Sequence, residues 1–511
     1  MAGSYFLTTA IDYVNSAPHL GHAYEKVLAD FFSRHELSLE RDVLFLTGID
    51  EHGQKVQQSA QRENIEPQLF VDQMSVHFRR QHESLGVASS HFVRTTDEHH
   101  KKVVREWLQK LHDKGEIFFQ EHEGFYSVRQ EQFVLEKDKV DGQWPEIFGE
   151  VELRKEPNYY FRLEPYRERL LQHIADNPDW IVPAFRRNEL LGALKEPLGD
   201  LCVSRPKSRL TWGIPLPFDE HYVTFVWFDA LTNYYSFASV KGALQWPPDI
   251  QIIGKDILIP AHGVYWPIML FALGLALPKH LLVHGWWLNR GAKISKSNAS
   301  SVVDPAPYVE KFGPDALRYF VLREMVLGQD ADFSDVRFET RYDELRNKFG
   351  NLVNRTLTMI NSYRGGVIPN YDGFHLTELD APMRTDIVVE EYKRAVEQFA
   401  PHLALQAVLD FAALANEYID KTAPFKLAKD PAQAKRLDVI LALLAESLRR
   451  LSVLLQTALP FTAEKIRAQM QLTAGPVRLE EALFGNSLRG HTIGKPSVIF
   501  PPIERPPAVG T

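Results

Sequence analysis

The chain opens on an apolar run, Tyr5-Phe6-Leu7-Thr8-Thr9-Ala10, that reads as a β-strand, followed by a turn at Asn15-Ser16-Ala17-Pro18. Beyond the turn, Leu20, Tyr24, Val27, Leu28 and Phe31 recur at helical spacing. A helix is therefore predicted from near His19, with Ser16 and Pro18 suited to its entry. Val43-Leu44-Phe45-Leu46-Thr47 predicts a second strand, and strand–helix–strand implies a parallel α/β sheet. Helical patterning runs from about Pro67 to Lys114. Residues 115–217 change character: they are rich in aromatics and charge, with short strand-like runs such as Ile117-Phe118-Phe119, and read as an insertion. Sheet-like sequence returns at Val223-Thr224-Phe225-Val226-Trp227, Ile252-Ile253-Gly254 and Leu281-Leu282-Val283-His284. From about Arg341 the pattern is helical almost throughout. Leu345, Phe349, Leu352, Thr356 and Ile360 form one stripe, and Leu437, Ile440, Leu444, Leu448, Leu451 and Leu455 another, which predicts a helix bundle. The tail from Ser497 to Thr511 is proline-rich.

A length of 511 residues allows about three domains. With 45% hydrophobic and 24% charged residues the composition is that of a globular protein. A net charge of −8 means that any nucleic-acid partner has to meet a local basic face. The single cysteine, Cys202, excludes an intramolecular disulfide and fits a reducing compartment; with no basic-then-apolar opening, a cytoplasmic location is expected. From Ile257 to Leu277 no Asp, Glu, Lys or Arg occurs, long enough for a membrane span. Pro260, His262, Gly263 and Pro267 inside the run favour a strand end, a turn and a buried helix, so no membrane partner is expected.

Two short motifs carry candidate chemistry. His19-Leu20-Gly21-His22 follows the first strand at a helix N-terminus, where backbone N–H groups and the helix dipole attract phosphate, and Gly21 allows close approach of a flat base. Alone, the tetrapeptide is equally well two solvated histidines. Lys293-Ile294-Ser295-Lys296-Ser297, led by Gly291-Ala292, suits a clamp that stabilises charge on departing pyrophosphate; alone, it is more often a solvated basic loop. The two motifs together, each after a strand, resemble the signature of class I aminoacyl-tRNA synthetases, in which Met usually stands at the place of Ile294.

The resemblance narrows further. Tyr13-Val14-Asn15, Thr47-Gly48-Ile49-Asp50-Glu51-His52-Gly53, Trp212-Gly213-Ile214-Pro215, Val226-Trp227-Phe228-Asp229-Ala230, Gly254-Lys255-Asp256, Tyr265-Trp266-Pro267 and Gly313-Pro314-Asp315-Ala316-Leu317-Arg318-Tyr319 resemble, in order, the motifs of the methionyl-tRNA synthetase family. That resemblance implies a methionine pocket of Ile11, Tyr13, Trp227, Ala230, Leu231, Tyr234, Ile257 and His262, with Asp50 on the substrate ammonium. Aromatic rings suit a polarizable thioether and a carboxylate pairs with an ammonium. It also implies catalytic and ATP-binding roles for His19, His22, Lys293 and Lys296, with Gly21 and Ser295 joining them on the ATP–Mg2+ complex. Two features depart from the family: Asp12 stands where relatives often carry an uncharged residue, and one extra residue separates Asp256 from His262. The family's zinc knuckle matches Tyr126-Ser127-Val128-Arg129-Gln130, without cysteines, so no structural zinc is expected. His99 and His100 are expected in solvent rather than on a metal.

The family's tRNA anticodon contacts match Asn351 and Arg355, which with Lys348 sit at i, i+3 and i+7 on the polar side of the bundle stripe. Where the family carries Trp after Ala-Pro, this chain has Phe425 after Ala423-Pro424. The implied architecture is an α/β Rossmann-like catalytic domain in two halves (1–114 and 218–300) around an inserted connective domain with a metal-free knuckle (115–217). A stem-contact connecting region (301–340), an all-α anticodon-binding bundle (341–490) and a tail (491–511) follow. The implied activity is ATP-dependent attachment of L-methionine to tRNA(Met), by a monomer, since no appended dimerisation domain is recognised. Two alternatives remain: the same class acting on another amino acid, and a tRNA-binding protein without catalysis.

Overall fold

The computed structural model describes residues 3–127, 132–134, 136, 139–140, 142–289, 291–293, 302–371, 376–485 and 488–503. β1 (Ser4–Tyr13) leads through α1 (Leu20–Ser38) to β2 (Asp42–Asp50); α2 (Gln54–Glu63) and α3 (Pro67–Leu85) then lead to β3 (His91–Arg94) and α4 (Glu98–Asp113). Next come β4 (Ile117–Ser127), β5 (Gln132–Val134), β6 (Val151–Phe161), α5 (Arg167–Asp176), β7 (Ile181–Val182), α6 (Ala184–Ala193), β8 (Leu201–Cys202) and β9 (Ser204–Pro206). The chain returns with β10 (Tyr222–Thr224), α7 (Val226–Ser236), β11 (Ile250–Gly254), α8 (Trp266–Leu273) and β12 (His280–His284).

The expected parallel sheet is present, in the order β3-β2-β1-β11-β12-β7. Its strands are buried on both faces, as the near-continuous apolar runs demand. β2 and β3 approach so closely that a Cβ at Gly48 would lie 2.1 Å from the Val93 carbonyl oxygen, which is why the Thr47–Gly53 motif has glycine there. β1 pairs in register with β2 up to Thr8 and again from Ile11, with a slip between them. A bulge of this kind re-aims the side chains beyond it.

Two expectations are corrected. The insertion is not a separate unit throughout 115–217: β4, β5, β6 and β8 form their own antiparallel sheet, but β7 pairs in parallel with β12 and Trp180, Leu170 and Leu190 pack in the core of the parallel sheet. Sequence shows no sign of a two-residue strand. The run Val223–Trp227 is not a strand of the parallel sheet either. Its strand, β10, ends at Thr224 and pairs antiparallel with β9; from Val226 the chain is helical, presenting Trp227, Ala230, Leu231 and Tyr234 at helical spacing.

The apolar stretch from Ile257 folds as a π-helical segment, Leu258–Tyr265, running into α8. The helix Lys255–Leu273 is long and apolar enough to cross a membrane, yet 72% of it is buried inside the protein, packed with Trp107 and Trp180.

After β12, β13 (Trp287–Asn289) and β14 (Ala292–Lys293) lead to α9 (Ala306–Phe312), α10 (Pro314–Glu324) and β15 (Ala331–Phe333), which pairs with β13. Then come α11 (Asp335–Leu345), a π-helical turn Arg346–Gly350, and α12 (Asn351–Arg364). α13 (Ile387–Glu397), α14 (Pro401–Thr422), α15 (Pro424–Leu427), α16 (Ala434–Leu455) and α17 (Pro460–Gln469) complete the bundle. Every residue of both predicted stripes is buried. The bundle shares one core with α1 and α10. At its centre the fully buried Arg318 pairs with Asp30 of α1 at 2.7 Å and donates to the carbonyls of Leu85, Thr457 and Ala458.

Candidate active site

A cavity of about 490 Å³ opens at the C-terminal ends of β1, β2 and β11, where β1 and β11 lie side by side at the middle of the sheet. This is the position at which open α/β sheets bind ligands. Ile11, Tyr13, Asp50, Trp227, Ala230, Leu231, Tyr234, Ile257 and His262 all line it, and so do His19, Gly21 and His22. The slip in β1 brings Ile11 and Tyr13 to its wall, and the register sets Tyr13 beside Asp50.

At one end, His19 is the N-cap of α1, where the sequence predicts the helix to begin. The Gly21 N–H donates to His19 Nδ1 at 3.1 Å and the His19 N–H to His22 Nδ1 at 2.9 Å. The rings lie 3.9 Å apart. Since each Nδ1 accepts a backbone proton, each ring carries its own proton on Nε2 as a donor. The cap thus equips a helix N-terminus with two imidazole donors for an anion. A Cβ at Gly21 would crowd the His19 ring at 3.0 Å, a structural reason for glycine beside the one read from sequence.

At the other end, the Tyr234 hydroxyl donates to His262 Nε2 at 2.7 Å, and His262 Nδ1–H donates to the Ile257 carbonyl at 2.9 Å. Both side chains are buried; burial pushes the His262 imidazole down to about 4 and the Tyr234 phenol far up, so both stay neutral. His262 lies in the π-helical segment Leu258–Tyr265.

Behind Trp227, Asp229 is fully buried between two histidines: His52 Nδ1 meets Oδ2 at 2.6 Å and His100 Nε2 meets Oδ1 at 2.7 Å. Burial alone would raise the Asp229 carboxyl, but the two imidazoles outweigh it and hold it at about 2. His100 is therefore not in solvent: α4 turns it inward, while its neighbour His99 is exposed and reaches the Ser236 carbonyl at 2.6 Å. Adjacent residues on a helix face different ways, which the His-His pair conceals.

A family model described as "tRNA synthetases class I (M)" matches residues 5–150 and 147–357. The chain is 40% identical to the methionine–tRNA ligase of Deinococcus radiodurans, over 98% of this chain and 74% of that one. It is 39% identical to that of Rickettsia bellii, over 99% of this chain and 100% of that one. A crystal structure of Mycobacterium tuberculosis methionyl-tRNA synthetase bound by methionyl-adenylate superposes with a TM-score of 0.91 at 35% identity, covering 98% of this chain and 100% of that one. The chain belongs to the methionyl-tRNA synthetases. It is an ATP-dependent methionine–tRNA ligase of class I.

Sequence reading of the synthetase missed several cavity residues: Asp12 as a wall residue, Glu25, Lys55, Gly254, Asp256 and the run His284-Gly285-Trp286-Trp287. The last follows a predicted strand directly, and strand C-termini in such sheets carry sites, so that signal was present. Glu25 stands one helical turn beyond His22, so its spacing from the first motif was a signal too. Of the second synthetase motif, the backbone of Lys293 ends β14; Ile294, Ser295 and Lys296 lie outside the described residues. Of the knuckle stretch, Tyr126 is buried and hydrogen-bonded to Arg209, and residues 128–130 lie outside the described residues.

In the synthetase's bundle Asn351 is exposed, and Arg355 pairs with Asp420 at 2.7 Å, tying α12 to the end of α14 just before Ala423 and Phe425. The Phe425 ring is 47% exposed. The π turn Arg346–Gly350 stands between Lys348 and Asn351, so the simple helical phase assumed from sequence does not run through them.

Proposed function

We propose that the cavity holds methionine and ATP together, with the thioether between Trp227, Tyr234 and His262, the ammonium at Asp50 and the phosphates at the N-terminus of α1. The observation that carries this reading is that the twelve active-site candidates from Ile11 to His262, scattered along the sequence, line one cavity. Neutral Tyr234 and His262, locked to each other, offer the sulfur a polar contact without a competing charge.

In this reading a methionine carboxylate oxygen attacks the α-phosphorus of Mg2+-ATP and the bond to the bridging oxygen breaks. Pyrophosphate departs with that bond's electron pair. Proximity and charge stabilisation supply the rate, and no side chain has to move a proton. The Nε2–H donors of His19 and His22 take the phosphates; Lys293, Ser295 and Lys296 steady the leaving pyrophosphate. A hydroxyl at the 3′ end of initiator or elongator tRNA(Met) then attacks the activated carbonyl and releases AMP. Asn351, Arg355 and Phe425 meet the anticodon, with Arg355 exchanging its exposed pairing to Asp420 for a base edge, a small cost at such exposure. A cytoplasmic monomer is the working state in this proposal.

The test is ATP–pyrophosphate exchange with each of the twenty amino acids. Exchange with methionine alone, lost in Lys296→Ala and His22→Ala, is expected. Exchange with a different amino acid would overturn the pocket assignment. Full activity in both variants would overturn the phosphate assignment.

A further inference from the structure

Asp12 brings a carboxylate into a cavity that receives a polyanion, and α1 answers it. Lys26 is fully buried, and its ammonium meets Asp12 Oδ1 at 3.2 Å and Glu25 Oε1 at 2.7 Å. The same ammonium donates to Thr9 Oγ1 at 3.0 Å and to the Ala10 carbonyl at 2.7 Å, at the place where β1 slips register. The second oxygen of Glu25 meets His284 Nε2 at 3.0 Å, while His284 Nδ1 faces the Gly285 carbonyl at 2.7 Å. Asp12, Glu25 and His284 line the cavity beside His19 and His22; Lys26 stands behind them. Lys26 thus cancels one of the two carboxylate charges of Asp12 and Glu25.

We infer that Lys26 is a positioning residue for ATP: its buried ammonium offsets one charge of the Asp12–Glu25 pair on the wall of the cavity and braces the β1 bulge that aims Ile11 and Tyr13. This rests on the phosphate assignment above. Without Lys26, the wall that faces the triphosphate is more negative by one unit charge. With Asp12 also neutral, the balance returns. Burial works against the Lys26 charge, but Asp12 and Glu25 outweigh it and raise its proton affinity, so the ammonium persists across the working pH range.

The experiment is a double-mutant cycle of Lys26→Met and Asp12→Asn, read as separate KM values for ATP and methionine in pyrophosphate exchange, with thermal stability measured alongside. Lys26→Met is expected to raise the ATP KM on the order of tenfold, the size of one unit charge lost near a polyanion at an effective dielectric of about 20, and to change the methionine KM less than threefold. Adding Asp12→Asn restores most of the ATP KM. A lower melting temperature with an unchanged ATP KM would make Lys26 merely structural and overturn the inference, as would failure of the double variant to recover. Should Lys26→Met not fold, Asp12→Asn alone decides: the proposal requires an ATP KM equal to or below wild type, and a rise refutes it. Running His22→Ala in parallel separates the two ideas, since loss of exchange there with no Lys26 effect leaves the phosphate assignment standing and removes only this one.

Discussion

Replacing Tyr234 with Phe isolates one hydrogen bond. The ring, packed 5.5 Å from that of Trp266, keeps its place, so apolar burial is unchanged. What disappears is the 2.7 Å bond to His262 Nε2. His262 cannot recover by turning over, because Nδ1–H is committed to the Ile257 carbonyl. A buried acceptor is left without its donor, at a cost of about 1–3 kcal/mol. If the pair reads the thioether, part of that cost falls on the methionine complex, and about 1.4 kcal/mol per decade predicts kcat/KM for methionine falling about five- to 150-fold. The ATP KM should stay within twofold of wild type, since the nucleotide end is untouched. The assay is pyrophosphate exchange with each substrate varied in turn, beside denaturant unfolding. If stability falls by the full amount while both KM values hold, Tyr234–His262 is an ordinary core hydrogen bond and the methionine end of the pocket has been misplaced.

Arg318→Met takes one of two guanidinium partners from the buried Asp30, which keeps Arg34, and removes the donor to the carbonyls of Leu85, Thr457 and Ala458; it should cost about 3 kcal/mol, read by chemical denaturation, and a loss below about 1 kcal/mol refutes the central role given to Arg318. His82 is buried and its imidazole is pushed down to about 3, so below the unfolded-state value the unfolded chain takes up a proton that the folded one refuses. Wild type should therefore lose stability relative to His82→Phe by about 1.4 kcal/mol per pH unit as pH falls from 6.5 toward 3, with no such difference above 6.5. Phe425→Trp restores an indole N–H at the bundle tip and should raise kcat/KM for tRNA severalfold without altering pyrophosphate exchange; an unchanged tRNA kcat/KM denies Phe425 a part in anticodon reading.

Much of this could be read in one dimension because it is local. The first strand, α1, both bundle stripes and the cavity side chains announce themselves through period, cap and motif. Pairings across long sequence distances did not. The two-residue β7 carries no periodicity, and its partner β12 lies about a hundred residues further on. The inward turn of His100 depends on Asp229, which arrives with another helix. Val226 and Trp227 looked like strand because β-branched and aromatic residues serve both structures, and only the side on which the cavity lies decides between them. Asp12 read as an anomaly until Lys26 appeared beside it, a pairing between β1 and α1 that no local period announces.

The place of β7 sets a limit on how this protein can be shortened. As the last strand of the parallel sheet it covers the hydrogen-bonding edge of β12, whose neighbour on the other side is β11. An uncovered edge of that kind is a template for intermolecular pairing. A deletion that takes residues 164–200 would uncover that edge of β12 and is expected to turn a folded protein into an aggregating one. Short as it is, that strand closes off a sheet edge that would otherwise invite a neighbouring chain.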